Sequence, residues 1–255
     1  MLNIFQQGQL GRRRVGSAAG ATDPNFANVV ALLHMDGADA STSFPDNSIV
    51  ASTWTANGNA QVDTAQSKFG GASLLVDGSG DYLSTGAPTT PPQRPFDFTG
   101  QFCIEGHFRV NAFTNLYGSL FASGSGIYSV LASAIMIFGS GVGGGNAQKI
   151  HATLRGGESA FFGTSALSAG IWYHFALTRD GSNGIRLFLN GVQQGSTVTN
   201  SNPIDFHGTG ARIGSNGWDG GNSFFNGWID DLRITKGVAR YTADFTAPTA
   251  AFPNS

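Results

Sequence analysis

The sequence predicts an all-β protein built from antiparallel strands, and three observations support this fold class. Short apolar runs recur along the chain and end in turn signals; Asp180-Gly181 and Asn190-Gly191, for example, supply the positive φ angles that tight hairpins need. Residues 102–110 alternate between apolar and polar side chains, which is typical of a strand with one buried face. No stretch shows the periodicity of a long helix. The 37 glycines and 20 phenylalanines suit many turns around one large core.

The predicted strands cover most of the chain. They lie within 29–35, 49–55, 61–64, 73–76, 102–110, 116–122, 127–138, 150–154, 172–181, 185–191, 211–216 and 225–234. At the Asp180 hairpin, the apolar residues of the two strands are expected to pair, namely Tyr173, Phe175 and Leu177 with Ile185, Leu187 and Leu189. Residues 87–95 hold four of the nine prolines and are predicted to be a loop, because proline cannot donate to a ladder. The only helical turn predicted lies at 239–244.

Charge and cysteine content narrow the class of protein. Only 12% of the residues are charged, against about 25% in average proteins. Such a surface occurs on extracellular lectin-like modules and on phage virion proteins. Beyond the three arginines of the N-terminus, 16 acidic residues face 11 basic ones, which argues against a nucleic-acid-binding face. The single cysteine, Cys103, excludes an internal disulfide. The sequence contains no run of about 18 apolar residues, so no membrane-spanning segment is predicted.

Residues 1–27 are predicted to be an N-terminal arm, and residues 28–255 the folded domain. The arm combines apolar residues such as Phe5 with Arg12, Arg13 and Arg14, followed by a flexible stretch rich in Gly, Ser and Ala. A disordered tail and an arm that docks on a partner chain both fit this composition, and Phe5 favours docking. The stretch lacks the apolar segment of a secretory signal. Release from the host cytoplasm inside a virus particle is therefore the simplest expected route.

Several motifs carry a resemblance to a known family. They include WYHFALTRDG at 172–181, IRLFLNG at 185–191, ARIGSN at 211–216 and FNGWIDDLRI at 225–234, preceded in the expected order by LHMDG at 33–37 and DGSGDYL at 77–83. Together they resemble the LamG-like jelly-roll family of the concanavalin A-like lectin/glucanase superfamily, of the kind found in phage virion proteins. The resemblance spans roughly residues 29–245. It implies a two-sheet antiparallel jelly-roll sandwich.

The resemblance also implies a possible calcium site, because many relatives hold Ca²⁺ on the sandwich. The fold places the first and last strands side by side, so Asp36 is expected to lie near Asp230 or Asp231. Calcium binds six to eight oxygen atoms from carboxylates, carbonyls and water. The alternative is that these aspartates cap turns or pair with Arg233 or Arg212.

A glycan site is predicted in the glycine-rich loop after the strand at 211–216. Trp218 offers an aromatic platform for a sugar ring, and Asn216, Asp219 and Asn222 offer hydrogen bonds to its hydroxyl groups. The alternative is that Trp218 packs over the rim of the sandwich. The two tryptophans of the family motifs, Trp172 and Trp228, are expected in the core.

Hydrolysis of glycans is disfavoured by the carboxylates. Retaining glycosidases need an acid and a nucleophile about 5 Å apart. The chain has only two glutamates, Glu105 and Glu158, far apart in sequence, and the related ExDxE motif is absent. Asp230 and Asp231 are adjacent, so on a regular strand they would point to opposite faces. The histidine spacing matches no zinc pattern.

These observations predict a non-catalytic interaction protein, exposed on a phage virion as a capsid decoration or tail/fibre protein. Its lectin-like domain is expected to bind cell-surface glycans. Its arm is expected to contact other virion proteins or further copies of the chain in a homo-oligomer. The alternative is an extracellular bacterial adhesin or a carbohydrate-binding module, and a glycoside hydrolase comes last.

Overall fold

The computed structural model describes residues 22–86, 94–123, 133–154, 159–206, 210–217 and 223–255. The strands of this part are β1 (Val29–Leu33), β2 (Thr55–Asn57), β3 (Gln61–Asp63), β4 (Ser73–Asp77), β5 (Tyr82–Ser84), β6 (Asp97–Phe98), β7 (Phe102–Val110), β8 (Tyr117–Ser123), β9 (Ala134–Phe138), β10 (Ile150–Leu154), β11 (Ser159–Phe162), β12 (Trp172–Arg179), β13 (Gly184–Leu189), β14 (Val192–Thr199), β15 (Ile204–Asp205), β16 (Ala211–Ile213) and β17 (Asn226–Lys236). A 3₁₀ helix covers Phe26–Asn28.

The strands form two large antiparallel sheets, as the sequence predicted. The eight-stranded sheet has the order β14-β13-β12-β7-β17-β4-β3, with β1 also paired to β17. The seven-stranded sheet has the order β11-β10-β9-β8-β16-β5-β2. Strands distant in sequence are neighbours in both sheets, which is the crossover pattern of a jelly roll. The expected proximity of the first and last strands is confirmed, because β1 pairs with β17.

The core lies between the two sheets and is filled by alternate residues of each strand. On β7, Phe102, Ile104 and Phe108 point into it, and on β9 Ile135 and Ile137 meet them from the other side. Each fully buried side chain of this size contributes roughly 1.5–3 kcal/mol through removal from water.

The outer face of the eight-stranded sheet is largely covered, which corrects the prediction of a half-buried β7. Cys103, Glu105 and His107 on that face are at most 1% exposed. Residues 237–255, the C-terminal segment, lie over them: Tyr241 donates to Glu105 Oε2 at 2.8 Å, and the Phe252 ring lies 6.0 Å from His107. Sequence alternation cannot reveal such a cover, because it is supplied by a distant, irregular segment.

A buried ionic network ties Asp23, which lies within the predicted arm, to the folded domain. Asp23 accepts from Arg233 Nη1 at 3.0 Å and from Arg240 Nη2 at 2.6 Å. Arg233 in turn binds Glu105 at 2.8 Å. Phe26 packs on an apolar cluster with Phe252. Residues 22–27 are therefore part of the sandwich, while Phe5, Arg12, Arg13 and Arg14 of the predicted arm lie outside the described residues.

Two local predictions are wrong and a third is right in part. Residues 49–54 form no strand, and residues 239–244 form no helical turn. At the Asp180 hairpin, Phe175 and Leu177 pair with Leu189 and Leu187 as predicted, whereas Ile185 lies opposite Arg179, outside the predicted set. The hairpin turn is longer than assumed, because Asp180 accepts hydrogen bonds from Ser182 and Gly184 and holds four residues in the turn.

Candidate functional site

The outer face of the seven-stranded sheet carries a row of aromatic side chains. His151 on β10 stacks on Phe138 of β9 at 4.4 Å between ring centroids, and Phe162 of β11 lies 4.6 Å from His151 on the other side. Tyr117 of β8 meets the edge of Phe138 at 5.6 Å. Phe162 is 48% exposed, so the row ends in an aromatic ring presented to solvent at the sheet edge.

His151 is held neutral within this row. Burial lowers its pKa to about 4, so the ring is uncharged at pH 7. Its Nδ1 atom is buried and has no hydrogen-bond partner among the described residues. The row is thus apolar and uncharged, and because Phe138 and His151 are at most 7% exposed, Phe162 is the ring that it presents to solvent.

Beside the aromatic row runs a row of small side chains. Register places Thr153, Ala134 and Ala122 on consecutive strands, followed by Arg212 on β16. Arg212 lies over the Tyr82 ring, with Cζ 4.5 Å from the centroid. Ala122 and Ala134 are fully buried and Thr153 is 9% exposed, so this row is covered, and Arg212 at its end is the partly exposed member that offers hydrogen-bond donors.

The predicted glycan loop is anchored on this same face. Ser119 donates its amide hydrogen to Ser223 O at 3.1 Å, and the Ser215 and Ser223 hydroxyls lie 3.3 Å apart. Asn216 is only 1% exposed, with Nδ2 3.9 Å from Met136 Sδ. Its side chain therefore supports the base of the loop and is not offered to solvent, contrary to the prediction of a ligand contact. Trp218, Asp219 and Asn222 lie outside the described residues.

The three aspartates of the predicted calcium site do come together, beside the paired strands β1 and β17. Asp36 and Asp231 are close enough for their charges to raise the pKa of Asp230, which burial already raises, to about 7. Asp230 Oδ2 accepts from the amides of Lys68 and Phe69 at 2.6 and 3.0 Å, whereas its buried Oδ1 has no partner within the described part of the chain. Asp231 is committed to protein contacts, since it accepts from Phe252 N and pairs with His34.

A β-bulge explains why the adjacent aspartates do not simply alternate. The β17–β7 register shifts between Asp230 and Arg233, and Asp231 adopts a left-handed φ of 48°. Asp36 lies against Gly70, where any side chain would collide with its carboxylate. Among the residues that the structure describes, no group of three or more His, Cys, Asp or Glu side chains is arranged to hold a metal ion. A calcium ion here would also need backbone carbonyls and water.

Glu105 is part of the structure rather than a free acid. Burial opposes its ionisation, but Arg233, His174 and Arg240 outweigh this effect and lower its pKa to about 2. It therefore stays ionised and bound to Arg233. The other glutamate, Glu158, lies outside the described residues.

Both tryptophans of the family motifs are on the surface instead of in the core. Trp172 and Trp228 are half-buried on the outer face of the eight-stranded sheet, with Arg109 of β7 between them. The sequence contained the signal for this. Trp172 directly precedes Tyr173 and is three positions from Phe175, and Trp228 directly precedes the core residue Ile229. Because successive side chains of a strand point to opposite faces, both tryptophans point away from the core.

Comparison with known proteins agrees with this architecture. A family model described as the concanavalin A-like lectin/glucanases superfamily matches residues 77–240. Domain 4 of AbnA, an extracellular arabinanase from Geobacillus stearothermophilus solved with arabinotriose, is similar with a TM-score of 0.56 and 18% identity, over 83% of this chain and 94% of that one. No curated protein matches the sequence significantly.

Two further structures are similar in fold over part of their length. The binding domain of botulinum neurotoxin serotype D/C has a TM-score of 0.58 at 13% identity, over 90% of this chain and 50% of that one. A Trypanosoma rangeli sialidase in complex with sialic acid has a TM-score of 0.55 at 12% identity, over 89% of this chain and 32% of that one. At these identities the likeness concerns the fold alone. No helix within the described ranges has the length and apolar character to cross a membrane.

The matched family region, residues 77–240, is more than half of the 255 residues and contains both sheets' central strands. The chain therefore belongs to the concanavalin A-like lectin/glucanase superfamily.

Proposed function

We propose that this protein is a non-catalytic glycan-binding protein that uses the outer face of the seven-stranded sheet. The observation that carries the proposal is the aromatic row of Phe138 and His151, which ends in Phe162, an aromatic ring 48% exposed at the sheet edge. A sugar ring presents apolar C–H groups that pack on an aromatic ring, while its hydroxyl groups need donors and acceptors nearby. Arg212 supplies donors at the far end, and the loop carrying Trp218 starts from the same face.

A binding role is favoured over hydrolysis by the state of the carboxylates. Glu105 is fully buried and bound to Arg233, so it is unable to protonate a leaving group or attack a sugar. The pKa of Asp230, about 7, is in the range that suits a general acid. Its carboxyl group, however, is buried beneath the connection between β3 and β4. We expect no release of reducing sugar from any polysaccharide that the protein binds.

Affinity electrophoresis in native gels tests the proposal. Gels cast with arabinan, xylan or mannan should retard the wild-type chain in at least one case. Phe162→Ala and Trp218→Ala should restore its mobility. Val192→Ala is the matched control, because Val192 is an apolar side chain 54% exposed on the eight-stranded sheet. Equal mobility of wild type and Phe162→Ala in a retarding gel would contradict the assignment of this face.

We further propose that the domain is displayed on a virion surface and attached through its N-terminal arm. The support is compositional: a charged fraction of 12% and an arm that mixes Phe5 with Arg12, Arg13 and Arg14. A chain lacking residues 1–21 should then fold normally but fail to co-sediment with purified particles. Co-sedimentation of that truncated chain would favour the alternative of an adhesin or carbohydrate-binding module outside a virion.

A further inference from the structure

The outer face of the eight-stranded sheet is organised in rows across its central strands β12, β7 and β17. Three rows lie beneath the C-terminal segment and the β3–β4 connection: His174–His107–Asp230, Ala176–Glu105–Arg233 and Thr178–Cys103–Thr235. All of their members are buried. The fourth row, Trp172–Arg109–Trp228, is half-buried, so the segment stops short of it. We call this row the Trp–Arg–Trp row.

Two side chains of this row, Trp228 and Arg109, are held by hydrogen bonds. The Trp228 Nε1 atom donates to Asp63 Oδ2 at 2.6 Å, which orients the indole ring. Arg109 donates from Nε to Gly170 O at 3.0 Å, and its Cζ lies 5.0 Å from the centre of the Trp228 ring. The guanidinium thus stacks on one indole while its position along the sheet is set by a backbone carbonyl. Trp172 lies opposite Arg109 on the next strand.

The charge of Arg109 is uncompensated among the described residues. Its two Nη groups make no hydrogen bond or ion pair there, whereas Arg179, Arg186, Arg233 and Arg240 all donate to carbonyl or carboxylate oxygens. Asp63, a carboxylate that contacts the row, accepts its hydrogen bond from the Trp228 indole. A guanidinium stacked on an aromatic ring keeps its edge free, and that edge matches a carboxylate in a bidentate arrangement.

We propose that the Trp–Arg–Trp row is a second binding site, specific for a carboxylate-bearing sugar such as a sialic or uronic acid. Neighbouring strands are about 4.8 Å apart, so the two indoles lie about 10 Å apart on either side of the guanidinium. A pyranose ring packs on one indole and directs its carboxylate to the Nη groups of Arg109. This inference goes beyond the proposed function, because it concerns the opposite sheet and an acidic ligand.

Isothermal titration of the full chain tests the site. The probes are 3′-sialyllactose and a glucuronic acid trisaccharide, with lactose as the neutral match and 6-sulfo-lactose as the sulfated one. Wild type should bind a carboxylated probe, and Arg109→Gln should weaken that binding about tenfold or more, because a charge-assisted pair is lost. Trp172→Ala should weaken it as well. Arg186→Gln is the matched control, because Arg186 lies on the same sheet but its guanidinium is already paired with Asp180.

Each other result overturns the inference. Equal affinity for lactose, or equal affinity for 6-sulfo-lactose, contradicts specificity for a carboxylate. Unchanged binding in Arg109→Gln removes the site even if glycans bind elsewhere, and in that case loss of binding in Phe162→Ala still supports the proposed function. Binding of polyglutamate but of neither acidic sugar would identify the row as a surface for acidic peptides. Thermal melts of both variants verify that they are folded.

Discussion

Arg233 donates two hydrogen bonds to Glu105 Oε1, from Nε at 3.0 Å and from Nη2 at 2.8 Å, beneath the C-terminal segment. The pair joins the neighbouring central strands β17 and β7. Through Asp23 and Arg240 it also ties both ends of the domain to the sheet. The cover over this face is therefore held by ionic contacts as well as by the rings of Tyr241 and Phe252.

Removing the charge of Glu105 should strongly destabilise the fold. Glu105→Gln leaves Arg233 and Arg240 with Asp23 as their only buried anion, and breaking a buried pair in this way costs about 3–5 kcal/mol. Urea unfolding at pH 7 measures the change. Asp97→Asn is the control, because the Arg94–Asp97 pair is 39% and 30% exposed and should contribute less than about 1 kcal/mol. Similar losses in both variants would refute a special role for the buried network.

His151 should make the protein less stable in acid. Its pKa falls from 6.5 to about 4 on folding, so its contribution is fully present above pH 6.5 and is lost as the pH falls from 6.5 towards 4. The loss amounts to about 3 kcal/mol. His151→Phe keeps a ring between Phe138 and Phe162 but does not titrate, so the free energy of unfolding should change less between pH 7 and pH 4. An unaltered pH dependence in this variant would show that His151 does not contribute.

Two truncations should behave differently. Deleting residues 1–21 should leave the melting temperature unchanged, whereas deleting residues 1–25 should lower it, because the second cut removes Asp23 and its ion pairs with Arg233 and Arg240. Differential scanning calorimetry of both chains makes the comparison. Identical melts would mean that Asp23 does not anchor the start of the domain.

Calcium is expected to act beside the paired strands β1 and β17. We propose that an ion there uses Asp36 and the unpaired Oδ1 atom of Asp230, with carbonyls and water completing its shell. The melting temperature should then be higher in millimolar calcium than in EDTA, and Asp230→Asn should abolish the difference. Asp39→Asn, an exposed carboxylate in the loop after Asp36, is the control. A wild-type melt that is the same in both buffers would dismiss the site.

The sheets were predictable because strand alternation and turn residues are local signals. The β7 bounds of 102–110 and the inward parity of Phe102, Ile104 and Phe108 follow directly from period-two alternation. The cover over Glu105 and His107 was not predictable, since residues 237–255 have no regular structure and reach that face only through the fold.

The candidate sites, like the fold, could be predicted from the sequence only in part. The proximity of Asp36 and Asp230 followed from the resemblance, but the bulge that gives Asp231 its left-handed φ depends on register and has no sequence signature. The row of Phe138, His151 and Phe162 joins three strands, so no single segment displays it. Trp172 and Trp228 are expected in the core because they stand in the family motifs, although their parity relative to Phe175 and Ile229 already points them outward.

A glycan-array screen of the full wild-type chain, run in calcium and again in EDTA, tests the central claim most directly. We predict reproducible binding to a defined group of glycans in both buffers, because the proposed site lies on the seven-stranded sheet and Asp230 lies on the other sheet. Absence of binding to every glycan in both buffers would contradict the glycan-binding role and leave the domain as a decoration or assembly protein.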